Sequence, residues 1–301
     1  MLGSILNDVM KPKAVPQSRR LQEALWESMP EVRRDQTPHE NMWFRSSGLY
    51  RLCPRSLQLG KEHNVNLAIE VDSKLRWIFG SGTAIHTQFQ EDYLPTLGDV
   101  FQGWWKRGTS SRSHSASTLA KGSKLSEYSL SHKWIPKPDG DDWVYEELEF
   151  VNQEYRLTGH MDGVLVWGED DIEALELKTI SSRGYDNVDP ALGGRPKGEH
   201  VIQVQAYMWL TGLERARIVY INKDLNMLFP EGICEHIVER DDAQIKLIQG
   251  MLKDCATASD LGLEVPLYDR IDSCPKKSSY RAKDCKVRDY CFPRKSRSKK
   301  S

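Results

Sequence analysis

Glu176 and Lys178 stand two positions apart in Ile172-Glu-Ala-Leu-Glu-Leu-Lys178, a segment whose alternation reads as a β-strand. Alternate residues of a strand share a face, so the carboxylate and the ammonium point the same way while Leu175 and Leu177 turn into a core. Asp162 lies upstream in Gly159-His-Met-Asp-Gly163, at a separation that suits the preceding strand of a meander. Two acids and a lysine on one sheet face can hold a hard divalent cation and the phosphate it activates. The chemistry expected of such a site is hydrolysis of a phosphodiester. Glu-x-Lys alone is also what a solvated strand face shows, so the surrounding residues must decide.

Two further segments accompany it. In Phe79-Gly-Ser-Gly82-Thr-Ala-Ile-His86 the two glycines read as the tight start of a helix, with His86 one turn later. In Gln203-Val-Gln-Ala-Tyr207 the spacing puts an amide and a phenol on one helix face, where both can face a nucleic-acid strand. The ordered set Gly-x-x-x-His, Asp, Glu-x-Lys, Gln-x-x-x-Tyr resembles the RecB-like branch of the PD-(D/E)XK nuclease superfamily. It spans about residues 46 to 225, the usual size of one domain. Asp162 departs from the literal Pro-Asp, being preceded by His-Met. The resemblance implies His86, Asp162 and Glu176 as metal ligands and Lys178 as the group that positions or activates the attacking water. Gln203 and Tyr207 then belong to the motif following the catalytic strands. It also implies Mg²⁺ or Mn²⁺ as cofactor, and a nitrogen ligand at His86 tilts that choice toward Mn²⁺.

The activity so implied is a DNA exonuclease working at ends, in recombination, repair or phage DNA metabolism. Its setting would be the cytoplasm of a bacterial or phage-infected cell, with a recombinase or annealing protein as partner. The same residues suit a structure-selective endonuclease. A non-catalytic nucleic-acid-binding protein with a structural metal leaves Lys178 without a role. A Cys-based redox or zinc adaptor leaves His86, Asp162 and Glu176 unexplained.

There are six cysteines, at 53, 234, 255, 274, 285 and 291. The opening Met1-Leu-Gly-Ser-Ile-Leu-Asn-Asp is broken by Asn7 and Asp8 before a secretory apolar run forms. In a reducing compartment clustered cysteines more often bind metal or act in catalysis than pair. Cys53, in Leu52-Cys-Pro-Arg55, followed by Cys274, Cys285 and Cys291 near the C-terminus, resembles the iron–sulfur subgroup of the superfamily, which includes AddB-type and CRISPR-adaptation nucleases. That resemblance implies a four-iron four-sulfur (4Fe-4S) cluster stapling the chain ends together. Cys285-x5-Cys291 fits its pattern, whereas Cys274-x10-Cys285 is much longer than the usual Cys-x2-Cys. Thiolates suit iron and zinc alike, so zinc and a metal-free reading stay open. Cys234, in an apparent strand, and Cys255, in an amphipathic helix, read as small buried hydrophobes.

The elements that must position these residues follow from pattern. With 39% hydrophobic and 28% charged residues in 301, the composition is that of an ordinary globular chain. No apolar run approaches bilayer-spanning length. The net charge is −1, but the 27 residues from Pro275 carry eleven Lys or Arg against two Asp. Such an arm suits phosphate, or equally a solvated tail. Residues 1–45 read as a peripheral segment with helical potential at 18–29. Residues 46–270 read as a nuclease core, and 271–301 as a Cys-bearing basic C-terminal segment. Near 103–128 a Ser/Lys/Gly-rich insert opens with Gly103-Trp-Trp-Lys-Arg-Gly108, whose aromatics and cations could stack on bases or line a plain surface loop.

Within the core the pattern predicts a helix over 67–93 carrying His86, and paired strands over 143–150 and 154–167. The catalytic strand spans 172–180, and a polar stretch over 181–197 borders the substrate channel. A helix ending near Gly212, strands over 217–222 and 232–238, and a helix over 241–254 complete it. Strands flanked by helices in this order predict an α/β domain with a central mixed β-sheet, the PD-(D/E)XK restriction-endonuclease-like core.

Overall fold

The computed structural model describes residues 35–107, 134–140, 142–224 and 231–293. The helix expected over 18–29, the insert beyond Arg107 and the basic residues after 293 lie outside the described residues. The strands are β1 (Phe44–Arg45), β2 (Phe101–Gln102), β3 (Trp104–Arg107), β4 (Trp143–Glu146), β5 (Leu148–Asn152), β6 (Leu157–Met161), β7 (Gly163–Gly168), β8 (Asp171–Ile180), β9 (Arg215–Asn222) and β10 (Ile233–Glu239). The principal helices are α1 (Pro54–Glu62), α2 (Ser73–Gln88), α3 (Gly198–Thr211) and α4 (Asp242–Leu261).

The central sheet has the order β10-β9-β8-β7-β2. Only β8 and β9 run parallel in it; the remaining pairs are antiparallel. It is the mixed sheet expected, with helices against it. Alternation along β8 sorts its side chains cleanly. Leu175 and Leu177 pack with Phe101, Trp105, Tyr145 and Leu165 on one face. Ala174 and Ile180 join the larger core with Val204, Ala206 and Met208 of α3 on the other. Glu176 and Lys178 have the parity of that second face.

Helix ends follow side-chain chemistry. Asp72 caps α2 by accepting from Leu75 N at 2.8 Å, and Asp241 caps α4 by accepting from Ala243 N and Gln244 N. Pro54 opens α1, where its missing N–H costs nothing. Gly212 closes α3 at φ 76°, a left-handed position that a residue without Cβ takes freely. The predicted helix over 67–93 therefore starts later, at the Asp72 cap. The glycines at 80 and 82 lie inside α2 and not at its start. Gly82 serves close approach, since a Cβ there would sit 3.1 Å from Thr179 Oγ1 on β8. Helix α4 runs past the predicted Asp254 because Cys255, Ala258 and Ser259 continue its buried face.

Two predicted strands are broken. The stretch over 143–150 parts at Glu147, β4 pairing with β3 and β5 with β6. The stretch over 154–167 parts at Asp162, β6 belonging with β1 and β5 while β7 enters the central sheet. The chain thus changes sheets twice, at two acidic residues.

The C-terminal segment docks on α1. Val287 and Cys291 pack with Leu59, His63 stacks on Tyr290 at 3.8 Å, and Lys286 pairs with Glu70 at 3.0 Å. Arg156 grips Asp260 through two 2.6 Å hydrogen bonds, tying the β5–β6 turn to α4.

Gly163 is where β7 leaves Asp162. A Cβ there would lie 2.5 Å from a Phe101 ring carbon and 3.3 Å from Tyr145 Oη. Gly163→Ala should therefore cost on the order of 1–3 kcal/mol of stability through overpacking. In Gly168→Ala the nearest atom to the new Cβ is Asp171 Cβ at 3.9 Å, and that variant should be close to neutral. Urea denaturation of the two variants beside wild type checks both.

Candidate active site

The register of the central sheet builds the site. Gly163 on β7 pairs with Leu175 on β8 in antiparallel fashion, so Asp162, one residue earlier, stands opposite Glu176. Asp162 is buried and held at three atoms. Its Oδ2 accepts from Leu177 N at 2.7 Å, and its Oδ1 accepts from Gln90 Nε2 at 3.2 Å. Its main-chain oxygen accepts from Tyr145 Oη at 2.7 Å and from Gln90 Nε2 at 3.2 Å. His86 Nδ1, from the last turn of α2, faces Oδ1 at 3.3 Å. Glu176 is 2% exposed; its Oε1 pairs with the Lys178 ammonium, and its Oε2 is buried with no partner among the described residues.

These groups set one another's charge. Burial, reinforced by Asp162, pushes Glu176 up to about 7 against the pull of Lys178 and His86. Burial opposes the charged form of Lys178, but Glu176 and Asp162 outweigh it and hold the amine above its ordinary value. His86 is raised likewise, the Asp162 carboxylate overcoming burial. Burial also keeps Tyr145 well above its usual range, so it stays a neutral donor to Asp162.

A third carboxylate joins from an unexpected direction. Glu147, at the break between β4 and β5, brings an oxygen into one group with His86 and Asp162, all three ligand atoms within 4.8 Å of one another. Burial, then Asp162, raises Glu147 to about 7. An imidazole nitrogen and carboxylate oxygens form a donor set that fits Mg²⁺ or Mn²⁺. The partnerless Oε2 of Glu176 and the crowding of three acids around one lysine mark where a cation would offset charge.

Of the residues singled out in sequence, His86, Asp162, Glu176 and Lys178 converge here. Gln203 and Tyr207 share the helix face their spacing predicts, but that face points inward. Tyr207 is fully buried; its Oη accepts from Gln203 Nε2 at 2.6 Å and donates to the His160 carbonyl. A nucleic-acid strand cannot reach the phenol. The reason is close packing: Gly159 has no side chain, and a Cβ there would meet Ser46 Oγ at 2.8 Å and the Tyr207 ring at 3.2 Å. The pair clamps β6 two residues before Asp162. Sequence reasoning missed Glu147, Gln90 and Tyr145. Gln90 sits in a π-helical turn, Phe89–Tyr93, a feature that recurs at functional sites; nothing in the local pattern distinguishes the other two.

The cysteines divide as their contexts suggest. Cys234 on β10 and Cys255 on α4 are buried in the main core. Cys53 stands at the N-terminal boundary of α1 with no side-chain cap bond, and the docked C-terminal segment carries the other three toward it. Burial raises the Cys285 thiol, and the neighbouring thiols of Cys53, Cys291 and Cys274 raise it further. Cys274 is raised by burial and then by Cys291 and Cys53.

Residues 47–292 match the family model of the PD-(D/E)XK nuclease superfamily. Among solved structures, an alkaline exonuclease (LHK-Exo) from Laribacter hongkongensis is similar at 13% identity over 74% of this chain and 90% of that one, with a TM-score of 0.43. A phage related exonuclease from Haemophilus somnus 129PT is similar at 15% identity over 74% of this chain and 96% of that one, with a TM-score of 0.40. No curated protein matches the chain. No helix among the described residues is long and apolar enough to cross a membrane.

The shift at Glu176 has a measurable consequence. Its folded pKa lies above the unfolded carboxylate value, so the folded state binds the proton more tightly. The resulting stabilisation is full below about 4.5 and is lost as pH rises through about 7. In the metal-free protein, Glu176→Gln should make the slope of stability against pH between 5 and 7.5 less negative than in wild type. Urea midpoints across that range give the comparison.

Proposed function

The chain belongs to the PD-(D/E)XK nuclease superfamily, and from that premise we propose that it is a divalent-metal-dependent deoxyribonuclease of the RecB-like branch, acting as an exonuclease at DNA ends. The observation that carries the reading is the convergence of Asp162, Glu176, Lys178 and His86 from β8, the start of β7 and α2. Asp162, Glu176 and His86 would hold Mg²⁺ or Mn²⁺, which when bound offsets charge on the phosphate and lowers the pKa of water. Lys178, held protonated beside Glu176, acts as a fixed positive charge. It is suited to orient a water or bind a non-bridging oxygen, and unsuited to remove a proton. Gln90 and Tyr145 fix Asp162 in place, and the Gln203–Tyr207 pair holds the strand behind it. The setting proposed is recombination, repair or phage DNA metabolism in the cytoplasm, alongside a recombinase or annealing protein.

A structure-selective endonuclease would use the same groups, and substrate topology separates the two. Purified protein with Mn²⁺ should degrade linear duplex and spare closed circles; nicking of circles would favour the endonuclease. Lys178→Ala should lower the rate by about 100-fold or more, the loss typical of one electrostatic donor, while DNA binding by gel shift persists. A variant that digests linear DNA near the wild-type rate would remove Lys178 from the mechanism.

The second part of the proposal is a four-iron four-sulfur cluster on Cys53, Cys274, Cys285 and Cys291, structural and not catalytic. Its support is the grouping of the four thiols where the C-terminal segment meets α1. Thiolates suit iron and zinc alike, so metal analysis of the purified protein decides between a cluster and a single zinc. Anaerobically purified protein should be brown and carry iron and acid-labile sulfide. Cys53→Ser or Cys291→Ser should lose the colour and become protease-sensitive, while Cys234→Ser and Cys255→Ser keep it. Stoichiometric zinc without iron would replace the cluster by a zinc staple.

A further inference from the structure

We propose that His200, which stands outside all four sequence motifs, is a further catalytic residue: a neutral imidazole, fixed by Tyr220, whose Nε2–H donates to a phosphate oxygen beside Lys178. The inference rests on reading the site as a hydrolytic centre. It goes beyond that reading by assigning a donor on the side of β8 away from Asp162 and His86.

Strand β8 lies between β7 and β9 in the central sheet, and the two neighbours bring different chemistry to it. Asp162, just before β7, meets His86 on one side, with groups suited to a cation. On the other side Tyr220 of β9 is the register partner of Lys178, so the two share a sheet face. Tyr220 is fully buried. Its Oη accepts from Lys197 N at 3.0 Å and lies 2.8 Å from Nδ1 of His200, in the first turn of α3. Lys178, Lys197 and His200 make this the side suited to an anion.

A phenol has one hydrogen to give. The Lys197 amide can only donate, so the Tyr220 hydrogen goes to His200 Nδ1, and the imidazole carries its own hydrogen on Nε2. An imidazolium would direct a second N–H at the same oxygen. Burial disfavours that charge most, and Lys178 and Lys197 add to it, holding His200 down to about 3. The other groups that face the pair do not reverse this. Glu199 Oε1 lies 3.6 Å from His200 Nε2, but that carboxylate is 42% exposed and its pull is screened. His236 of β10 meets the Tyr220 ring edge-on and has its own Nε2 on the Val188 carbonyl at 2.6 Å.

At 3.6 Å the Glu199 contact is longer than a hydrogen bond, which leaves the Nε2 hydrogen available to a substrate. The side chains of His200 and Lys178 are 14% and 22% exposed, so neither is sealed off from an approaching strand. A neutral imidazole held in one tautomer stabilises negative charge on a substrate oxygen without giving up its proton.

The test uses the full chain. In the metal-free protein, nitrogen-15 NMR of the histidine rings should show His200 as the Nε2-protonated neutral form, with no titration between about pH 5 and 8. Its resonances are those missing from His200→Asn and His200→Gln. With Mn²⁺ and linear duplex, His200→Asn keeps an oxygen that can accept from Tyr220 but has no donor at the Nε2 position. It should slow hydrolysis by about tenfold or more, the loss of one hydrogen bond to a charged group. His200→Gln, whose amide nitrogen reaches that position, should recover most of the rate. The loss in His200→Asn should be the same at about pH 6.5 and pH 8, because a neutral donor does not titrate there. Circular dichroism establishes that both variants are folded. Three results overturn the role of His200: His200→Asn cleaving at the wild-type rate, His200→Gln as slow as His200→Asn, or a wild-type imidazole that titrates near its ordinary value. The hydrolytic reading stands in each case as long as wild type cleaves, and a wild type that cleaves no DNA with Mn²⁺ overturns both.

Discussion

The fixed carboxylate of Asp162 is the constraint on which the rest of the site depends. It receives the Leu177 amide from β8, the Gln90 amide from the π-helical turn, and the Tyr145 hydroxyl on its own carbonyl. Each such hydrogen bond contributes about 1 kcal/mol net, but their combined effect is directional. Two donors fix the carboxylate and the third fixes the main chain that carries it, so the carboxylate has one orientation, and that orientation faces His86 and Glu176. The sheet change at this residue brings the consequence into the backbone, because the chain leaves one sheet and enters another with Asp162 at the corner.

Around that corner the charges are out of balance in a useful sense. Three acids and one lysine meet here, Asp162 and Glu176 buried and Glu147 exposed, and burial together with the Asp162 charge raises Glu147 and Glu176 to about 7. Removing a carboxylate's water without supplying a partner is costly, so the site favours whatever cation restores the balance. Lys178 does part of this for Glu176 and leaves the second oxygen unmet. His86 is partly exposed, its side chain at 22%. Helix α2 has no buried residue, so what places the imidazole is the close approach at Gly82 and the turn that follows.

The C-terminal segment solves a different problem. Its one-turn helices, Tyr280–Lys283 and Arg288–Cys291, are too short to stand alone. They are held on α1 by the His63–Tyr290 stack, the Lys286–Glu70 pair and Arg270, which donates to the Cys291 carbonyl at 2.6 Å. That docking gathers three late cysteines toward the one at the start of α1, joining residues more than two hundred positions apart without reference to the acidic site.

Local order was legible in the residues themselves. Alternation in 172–180 is enough to place Glu176 and Lys178 on one strand face and Leu175 and Leu177 on the other, since the pleat has period two. Gly212 ends its helix because only a residue without Cβ adopts that backbone freely, and Cys234 and Cys255 read as core from their places in a strand and an amphipathic helix. Tertiary structure alone decided which sheet each strand joins. An extended chain looks the same on either side of Glu147 or Asp162, so nothing in 143–150 or 154–167 announces that pairing partners change there. The capture of Glu147, the hydrogen bonds from Gln90 and Tyr145, and the inward turn of Tyr207 all follow from those changes. Periodicity reports the face a side chain takes, whereas its partner depends on strands and helices distant in the chain.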